Sequence, residues 1–399
     1  MILRTAQETL TRYASTYPVI VLTGPRKSGK TALARAAFPD KPYISLDAPD
    51  QLESAQNNPD LFISQYPGGA IIDDVHRCPE LFSRLPAVAQ ASPRNGLFIL
   101  ISAIHTDMLP YIAPQTTGGF GVLRLLPFSY SELADIKPLQ NMHELFFSGF
   151  YPPVHQKQLN PESWYAEYIM NFIERDLRNI VNVRNLRAFR TFLKSCASHS
   201  GYLLNLSALA EECGITHNTA KAWIEALAAS HILFLLQPHE QSFGRRIVKS
   251  PKIYFYDVGL ASYLLGIKDP LQLSGHAAWP YLFESFVVSE LIKTRFNAGL
   301  NSNLYFWCDS SGNEISIVAE RGGALIPIRI KSSQSVSDVD VAILSKWRKL
   351  NKQPSLPAGL IYCGQDQMQL KGFTVCPWHE IGEFGPLFSG ALKAYMRKS

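Results

Sequence analysis

The sequence predicts an α/β chain in which a parallel sheet with crossover helices is followed by a helical region and a second strand-rich unit. Short apolar runs at Val19–Leu22, Tyr43–Leu46, Ala70–Ile72 and Leu97–Ile101 are separated by helical lengths, the pattern of buried parallel strands. After Pro127 long helical patterns take over through about Leu265. Strands return from Leu304 to Ile330, followed by a helix over Val339–Leu350 and a strand at Ala358–Cys363. At 399 residues the chain exceeds one ordinary core, and a prior of roughly 150 residues per domain gives two or three. The expected division is a parallel-sheet unit at 1–136, a helical connector at 137–190, a third unit at 191–273, an α/β module at 274–385 and a tail at 386–399.

Composition narrows the class. With 46% hydrophobic and 18% charged residues the chain buries real cores and is not disordered. No apolar stretch reaches the roughly 18 residues of a membrane span, and Met1–Pro18 lacks the apolar core of a secretory signal. The six cysteines are scattered without a CxxC pair, which speaks against a disulfide scaffold or zinc site and fits a reducing cytosol. The net charge of +5 is too mild to indicate nucleic acid by itself. Residues 1–136 hold 11 basic and 12 acidic side chains, so the surplus lies beyond them.

The strongest motif is Gly24-Pro25-Arg26-Lys27-Ser28-Gly29-Lys30-Thr31, a full GxxxxGK[ST] match between the first strand and the helix opening at Ala32. Glycines there let successive N–H groups curl around phosphates, and the helix N-terminus adds partial positive charge. Lys30 is expected to reach the β- and γ-phosphates of ATP, and Thr31 to offer its hydroxyl to Mg²⁺. Some 40 residues on, the strand ending in Asp73-Asp74 supplies the acidic partner. Asp73 is expected to hold Mg²⁺ through water, and Asp74 stands where a base orients the attacking water.

Two segments make the likeness specific: Ile72-Asp73-Asp74-Val75-His76-Arg77-Cys78-Pro79-Glu80-Leu81 and Pro127-Phe128-Ser129-Tyr130-Ser131-Glu132-Leu133. With the phosphate loop they resemble a prokaryotic family of AAA-type ATPases that carry a C-terminal domain of unknown function. The resemblance runs from about Leu3 to Ile381. In that family the acidic strand usually ends Asp-Glu, so Asp74 reaches one methylene less far. A Thr-Gly-Ser-type turn usually follows the fourth strand. Here Ile101-Ser102-Ala103 stands there, and Ser102 is the polar candidate for a γ-phosphate or water contact. An Ala-Gly-Arg segment usually precedes the Pro-x-Ser-Tyr-Ser-Glu-Leu stretch, and its arginine position falls on Gly119. A transition-state arginine is worth roughly 10³–10⁵ in rate, so its loss implies weak turnover unless Arg124 or another chain substitutes. Phe172-Ile173-Glu174-Arg175-Asp176-Leu177 also matches the family, its charges spaced for salt bridges between helices.

Residues 205–227 read as a helix-turn-helix, with Ser207 as first cap, Gly214 in the tight turn and Thr216 capping the second helix. Ala220, Trp223, Ile224 and Leu227 form its apolar stripe, while His217, Asn218 and Lys221 lie on the opposite face. Strands at Ile232–Leu236 and Ile253–Tyr256 flank Gly244–Lys252, the order of a winged helix with a basic wing. Two readings stay open. In one, His217, Asn218 and Lys221 face a DNA major groove while Arg245, Arg246, Lys249 and Lys252 contact phosphates. In the other, the unit packs domains together or meets a partner protein.

The C-terminal module is similar to the family's, which itself resembles the PD-(D/E)xK nuclease fold. That chemistry needs clustered carboxylates and a lysine. At the matching positions Glu284 and Lys331 remain, whereas Ser316 and Arg329 replace two acids, so nuclease activity is not expected. Glu314 shares a strand face with Ser316, which leaves a migrated ligand open. The sequence therefore points to a slow, Mg²⁺-dependent ATPase whose nucleotide state controls the C-terminal domains, or to a nucleotide-gated DNA- or protein-binding module with little hydrolysis.

Overall fold

A computed structural model describes residues 2–91, 94–103, 120–136, 141–174, 183, 185–241, 243, 246–351 and 358–382. Five strands, β1 (Val19–Thr23), β2 (Tyr43–Ser45), β3 (Ala70–Asp73), β4 (Phe98–Ser102) and β5 (Phe120–Arg124), form a parallel sheet in the order β2-β3-β4-β1-β5. The four expected runs are its first four strands. Every residue of β1, β3 and β4 is buried, because helices cover both faces of the sheet. Two apolar clusters result: Val19 and Val21 face one with Phe62, Phe82 and Phe98, while Ile20 and Leu22 face another with Leu10, Leu33 and Ile99. Non-consecutive neighbours flank β1 on both sides, so ligands are expected beyond its carboxyl end.

The middle of the chain is helical. Its helices Pro152–Gln156 and Pro161–Tyr168, like Pro49–Asn57 and Pro59–Ser64 of the sheet unit, each begin on a proline, whose fixed φ suits a first turn where the missing N–H would lack a partner anyway. Pro161–Tyr168 runs on into a π-helical turn, Ile169–Ile173. Glu174 is buried and takes a bidentate pair from Arg190, at 2.6 and 3.1 Å, within this helical region. Arg175 and Asp176 lie outside the described residues.

Helices Leu206–Cys213 and His217–Ala229 form the expected helix-turn-helix, with Gly214 left-handed at φ 63° between them. Thr216 caps the second helix, accepting from the Thr219 N–H. The first cap is not Ser207. Asn205 accepts from the Ala208 N–H at 3.1 Å and places Ser207 inside the helix, exposed. Both residue types cap well, and the apolar Leu206 starts the helix two residues earlier than a Ser207 cap would. Strands β6 (Leu233–Leu236) and β7 (Lys252–Phe255) pair antiparallel behind it.

The last unit is a six-stranded mixed sheet, β8 (Leu304–Cys308), β9 (Glu314–Arg321), β10 (Ala324–Lys331), β11 (Gly359–Tyr362), β12 (Met368–Leu370) and β13 (Phe373–Pro377), ordered β12-β13-β11-β10-β9-β8. Helices Trp279–Asn297 and Asp338–Leu350 accompany it. The connection between β6 and β7 is not a free wing. It is stitched along the edge strand β8: the His239 N–H donates to Phe306 O (2.7 Å), Val248 to Cys308 O (3.0 Å) and Ser310 to Arg246 O (2.8 Å). Pairing an otherwise open strand edge is the physical gain. One contiguous core runs from Leu126 to Ile381, so the helical connector, the helix-turn-helix unit and one face of the last sheet share their apolar interior.

Capping gives a direct test. Asn205→Ala should lower stability by about 1 kcal/mol. Ser207→Ala should stay within about 0.5 kcal/mol of the native chain, as exposed positions do. Urea midpoints of the two variants check this.

Candidate functional site

The phosphate loop leaves the buried end of β1 and turns sharply. Gly24 adopts φ 146°, and a side-chain carbon there would overlap the Leu125 carbonyl, so the tight passage beside β5 needs glycine. Lys27 (φ 63°) and Gly29 (φ 96°) complete the curl into helix Lys30–Ala37. Arg4 holds this loop from outside: its Nη1 donates to Ser28 O (2.7 Å), Nη2 to Leu126 O (2.8 Å) and Nε to Glu132 (3.1 Å).

Arg26, Lys27, Gly29, Lys30, Thr31, Asp73, Asp74 and Ala103 line one cleft of about 330 Å³. Lys30 is buried, and its Nζ donates to the Gly24 and Pro25 carbonyls at 2.8 Å each. Ser28 Oγ is buried and has no partner among the described residues. Thr31 Oγ1 donates to Asp73 Oδ2 at 2.6 Å, and Tyr43 donates to the same oxygen at 3.0 Å. The other oxygen of Asp73 accepts the Asp74 N–H at 2.8 Å. Burial and then Asp73 push the Tyr43 phenol up to about 12, so it stays a donor. Asp74 sits left-handed (φ 56°) and pairs with Arg26 Nη1 at 3.2 Å. Burial raises the Asp74 pKa, with Arg26 opposing and Asp73 and Asp47 adding to it.

Seven of the residues expected around phosphate and metal thus converge, while Gly24, Pro25 and Ser28 contribute backbone to the loop. Ser102 does not line the cleft. It is fully buried at the end of β4, in register with Thr23, and Ala103 faces the cleft beside it. Arg124 is no substitute for an arginine at position 119. Its guanidinium lies over Phe296 at 5.0 Å and donates to Asn301 Oδ1 at 2.8 Å, tied to the C-terminal unit. Gly119 itself lies outside the described residues.

Sequence reasoning missed the far wall. Pro152, Pro153 and Gln156, on the short helix that opens the helical region, close the cleft opposite the phosphate loop. Tyr168 from the same region donates to the Arg26 carbonyl at 3.2 Å and exchanges a 3.0 Å bond with Tyr151. The only sequence signal was the Gly149-Phe150-Tyr151-Pro152 stretch, which carries no acid, base or phosphate-binding motif. His76 was likewise unremarked, although Arg26 and Lys30 act on it electrostatically.

The candidate DNA-contacting residues divide. His217, Asn218 and Lys221 are exposed on the second helix of the helix-turn-helix, with Lys221 3.9 Å from Glu225. Arg246 and Lys249 are exposed and line a shallow cleft with Ser310, while Arg245 lies outside the described residues. Lys252 is no phosphate contact. It is buried on β7, its Nζ 2.6 Å from Glu314 and 3.3 Å from Glu284, and these carboxylates pair the buried ammonium. Tyr254 donates to Glu284 at 2.7 Å. Ser316 Oγ accepts the Ile330 N–H, Arg329 donates to the Glu314 carbonyl, and Lys331 pairs with Asp340. Ser316, Arg329 and Lys331 thus each bond within the C-terminal unit, while Arg329 Nε is buried without a partner among the described residues.

The parallel sheet, the phosphate loop after β1 and the Thr31–Asp73 pair define an AAA-type P-loop ATPase domain. Residues 16–134 match the model of an AAA domain. Residues 139–271 and 281–381 match two domains of unknown function, DUF8612 and DUF4143. An uncharacterized protein of Mycobacterium tuberculosis is 28% identical over 341 residues, covering 84% of this chain and 75% of the relative, and one of Mycobacterium bovis matches equally. Among solved structures, a Walker-type ATPase of Pyrococcus abyssi is 14% identical over 65% of this chain and 94% of its own, with a TM-score of 0.42. A RuvB variant of Thermotoga maritima is 15% identical over 57% and 85%, with a TM-score of 0.27. No described helix is long and apolar enough to cross a membrane.

His76 gives the site a pH signature. Burial, then the positive charges of Arg26, Lys30 and Arg77, push its pKa down to about 3, against the opposing pull of Asp47. Its Nδ1 has no partner among the described residues. The folded pKa lies below the ordinary value near 6.5, so the unfolded chain takes up a proton in between that the folded chain refuses. Stability from this group is whole above pH 6.5 and falls as pH drops toward 3. At pH 5 the loss is roughly 2 kcal/mol. His76→Gln should remove that part of the slope, read from urea unfolding at pH 5 and pH 7.

Proposed function

We propose that the chain binds ATP in the cleft and turns it over slowly, and that the bound nucleotide sets the posture of the helical and C-terminal units. The observation that carries this is the meeting of Lys30, Thr31, Asp73 and Asp74 in one cleft, with Thr31 Oγ1 2.6 Å from Asp73. Lys30 now spends its donors on the carbonyls of Gly24 and Pro25, and in the complex it turns to the β- and γ-phosphates. The loop's N–H groups and the helix N-terminus receive the remaining phosphate charge.

The residues also fit Mg²⁺. Thr31 Oγ1 and Asp73 Oδ2 are hard oxygen donors side by side at the phosphate end, the donor set this ion takes together with substrate phosphates. When bound it neutralises charge on the phosphates. Tyr43 and the Asp74 N–H orient the Asp73 carboxylate for that task. Asp74 orients the attacking water. Its short side chain and Gly119, at the position where the resembled family carries an arginine, are the reasons to expect slow turnover.

Three contacts support a link from cleft to the distant units. Pro152 and Gln156 form its far wall, Tyr168 holds the Arg26 carbonyl, and Tyr165 donates to Asp257 at 2.6 Å, which itself caps helix Val258–Leu264 through the Leu260 N–H. A shift of the phosphate loop is thereby felt in the elements packed on the helix-turn-helix unit. Purified protein should release phosphate from ATP in Mg²⁺ buffer, and Lys30→Ala should abolish it. Turnover equal in the two proteins, despite measurable ATP affinity in the wild type, would leave a nucleotide-gated binding module.

A second reading adds DNA as the partner. It is favoured by the exposed His217, Asn218 and Lys221 beside a winged-helix-like hairpin, and by exposed Arg246 and Lys249. Lys252 is excluded by its burial. Replacing Arg245, Arg246 and Lys249 with alanine should reduce the slope of log affinity against log salt by about 2–3. No affinity for duplex DNA at low salt ends this reading and leaves a protein partner.

A further inference from the structure

Two exposed faces of the chain carry cations, and they differ in what surrounds the charge. On the helix-turn-helix, Lys221 is the one lysine or arginine between Leu206 and Ala229, and Glu211, Glu212 and Glu225 are exposed with it. Lys221 lies 3.9 Å from Glu225. That face is acidic on balance and repels phosphate. The second face is assembled from three separate elements. The β6–β7 connection brings Arg246 and Lys249, both exposed, to one cleft with Ser310. The Ser310 N–H donates to the Arg246 carbonyl (2.8 Å), which sets the turn at 309–313 against this connection. Lys346 Nζ reaches the same turn, donating to Asn313 Oδ1 at 2.7 Å. Phe243 stands edge-on to Trp347 with ring centroids 5.6 Å apart, so the connection also packs on helix Asp338–Leu350 beside Lys346. Lys349, three residues on, is exposed on the same side of that helix.

We propose that Arg246, Lys249, Lys346 and Lys349 form a docking face for the phosphodiester backbone of duplex DNA, and that this composite face, rather than the helix-turn-helix, carries the binding. This rests on the DNA reading above, keeps the cations of its β6–β7 connection and moves the remaining contacts from the helix-turn-helix to the C-terminal unit.

The carboxylates of these elements are already spent. Asp309 accepts the Ser311 and Asn313 N–H groups and the Asn313 amide, and Glu314 pairs with Lys252. Asp338 and Asp340 pair with Lys371 and Lys331 at the start of the helix. Among the described residues none of the four cations is ion-paired. Neighbouring like charges repel one another, and a ligand with repeated negative charge removes that repulsion as its counterions are released. The aromatic rings of this region offer bases no platform: Trp307 and Trp347 are buried, and Phe243 packs against both. Single strands are bound through exposed stacking rings, whereas a duplex is held by its phosphates, and phosphate contacts carry no sequence information. The face therefore fits duplex DNA without sequence preference.

Affinity of the full chain for a mixed-sequence duplex of about 20 base pairs, read by fluorescence anisotropy across a salt series, tests this. Each phosphate contact contributes about 0.9 to the slope of log affinity against log salt. Lys346→Gln with Lys349→Gln should lower the slope by about 2, and adding Arg246→Gln and Lys249→Gln should bring the loss to about 3–4. Lys221→Gln should leave it unchanged within about 0.5, and Glu211→Gln with Glu225→Gln should not tighten binding. A second duplex of unrelated sequence should bind equally. All the exchanged side chains are exposed, and melting temperatures matching wild type verify that the variants fold. An unchanged slope in the Lys346→Gln, Lys349→Gln protein, or a loss in Lys221→Gln as large as theirs, overturns the composite face while leaving DNA as the partner. Poly-glutamate bound as tightly as DNA makes the face a receptor for acidic protein and also overturns it. No affinity of the wild type for the duplex at low salt overturns the face and the DNA reading together.

Discussion

A buried network of four charges around residues 126–133 holds the ATPase domain to everything that follows. Arg4 bridges Glu132, the Leu126 carbonyl and the Ser28 carbonyl of the phosphate loop. Glu132 closes a capping box with Ser129, and Glu290 of helix Trp279–Asn297 accepts the Tyr130 N–H at 2.7 Å. Lys293 pairs with Glu290 at 2.7 Å and donates to the Phe128 carbonyl. Arg4, Glu132, Glu290 and Lys293 are each nearly inaccessible to water. Desolvation lowers the Arg4 pKa and raises that of Glu290, each opposed by its partner. Such pairs add little net stability over an apolar replacement, but losing one member strands a charge at a cost of about 3–5 kcal/mol. Their effect is therefore registry. The phosphate loop, the helix at Tyr130 and the C-terminal helix fit together in one arrangement.

That registry explains a segment that the sequence marked without explaining. The stretch Pro127–Leu133 is the most recognisable feature after the phosphate loop, yet it contains no residue of the cleft. Its polar atoms are consumed instead by Arg4, Glu290 and Lys293, which lie 100 or more residues away in the chain. Periodicity reads elements that are stabilised locally, and so it found the four apolar strands, the Gly214 turn and the Thr216 cap. The loop residues Lys30 and Thr31 and the acid Asp73 were legible for a related reason: their roles are fixed by short-range spacing against one strand end.

What stayed hidden was set by long-range packing. Lys252 reads as part of a basic run, but the strand it begins turns it inward onto Glu284 and Glu314. Arg124 reads as a free arginine near the sheet's active edge, but pairing of β5 with β1 aims it at Phe296. Ser102 reads as a polar group at a strand end, but the strand is buried through its last residue. The segment after Gln237 reads as an exposed wing and instead closes the edge of a sheet that begins at Leu304. In each case the local residue type was read correctly and its neighbour could not be.

The same physics separates the two ends of the molecule. Each end has a cation resting on a carboxylate. At the C-terminal end Lys252 is buried and shared by Glu284 and Glu314, Glu284 also takes the Tyr254 hydroxyl, and the Phe306 ring lies 5.5 Å from the ammonium. Releasing it would leave the Lys252 charge buried and Glu284 without its cation, so this contact is costly to open. At the N-terminal end Arg26 and Asp74 pair at the border of the phosphate-loop cleft, with 19% and 16% of their side chains exposed. A cation locked by burial makes a scaffold. One that borders a cleft stays within reach of what enters it, as the Arg26–Asp74 pair does in the AAA domain.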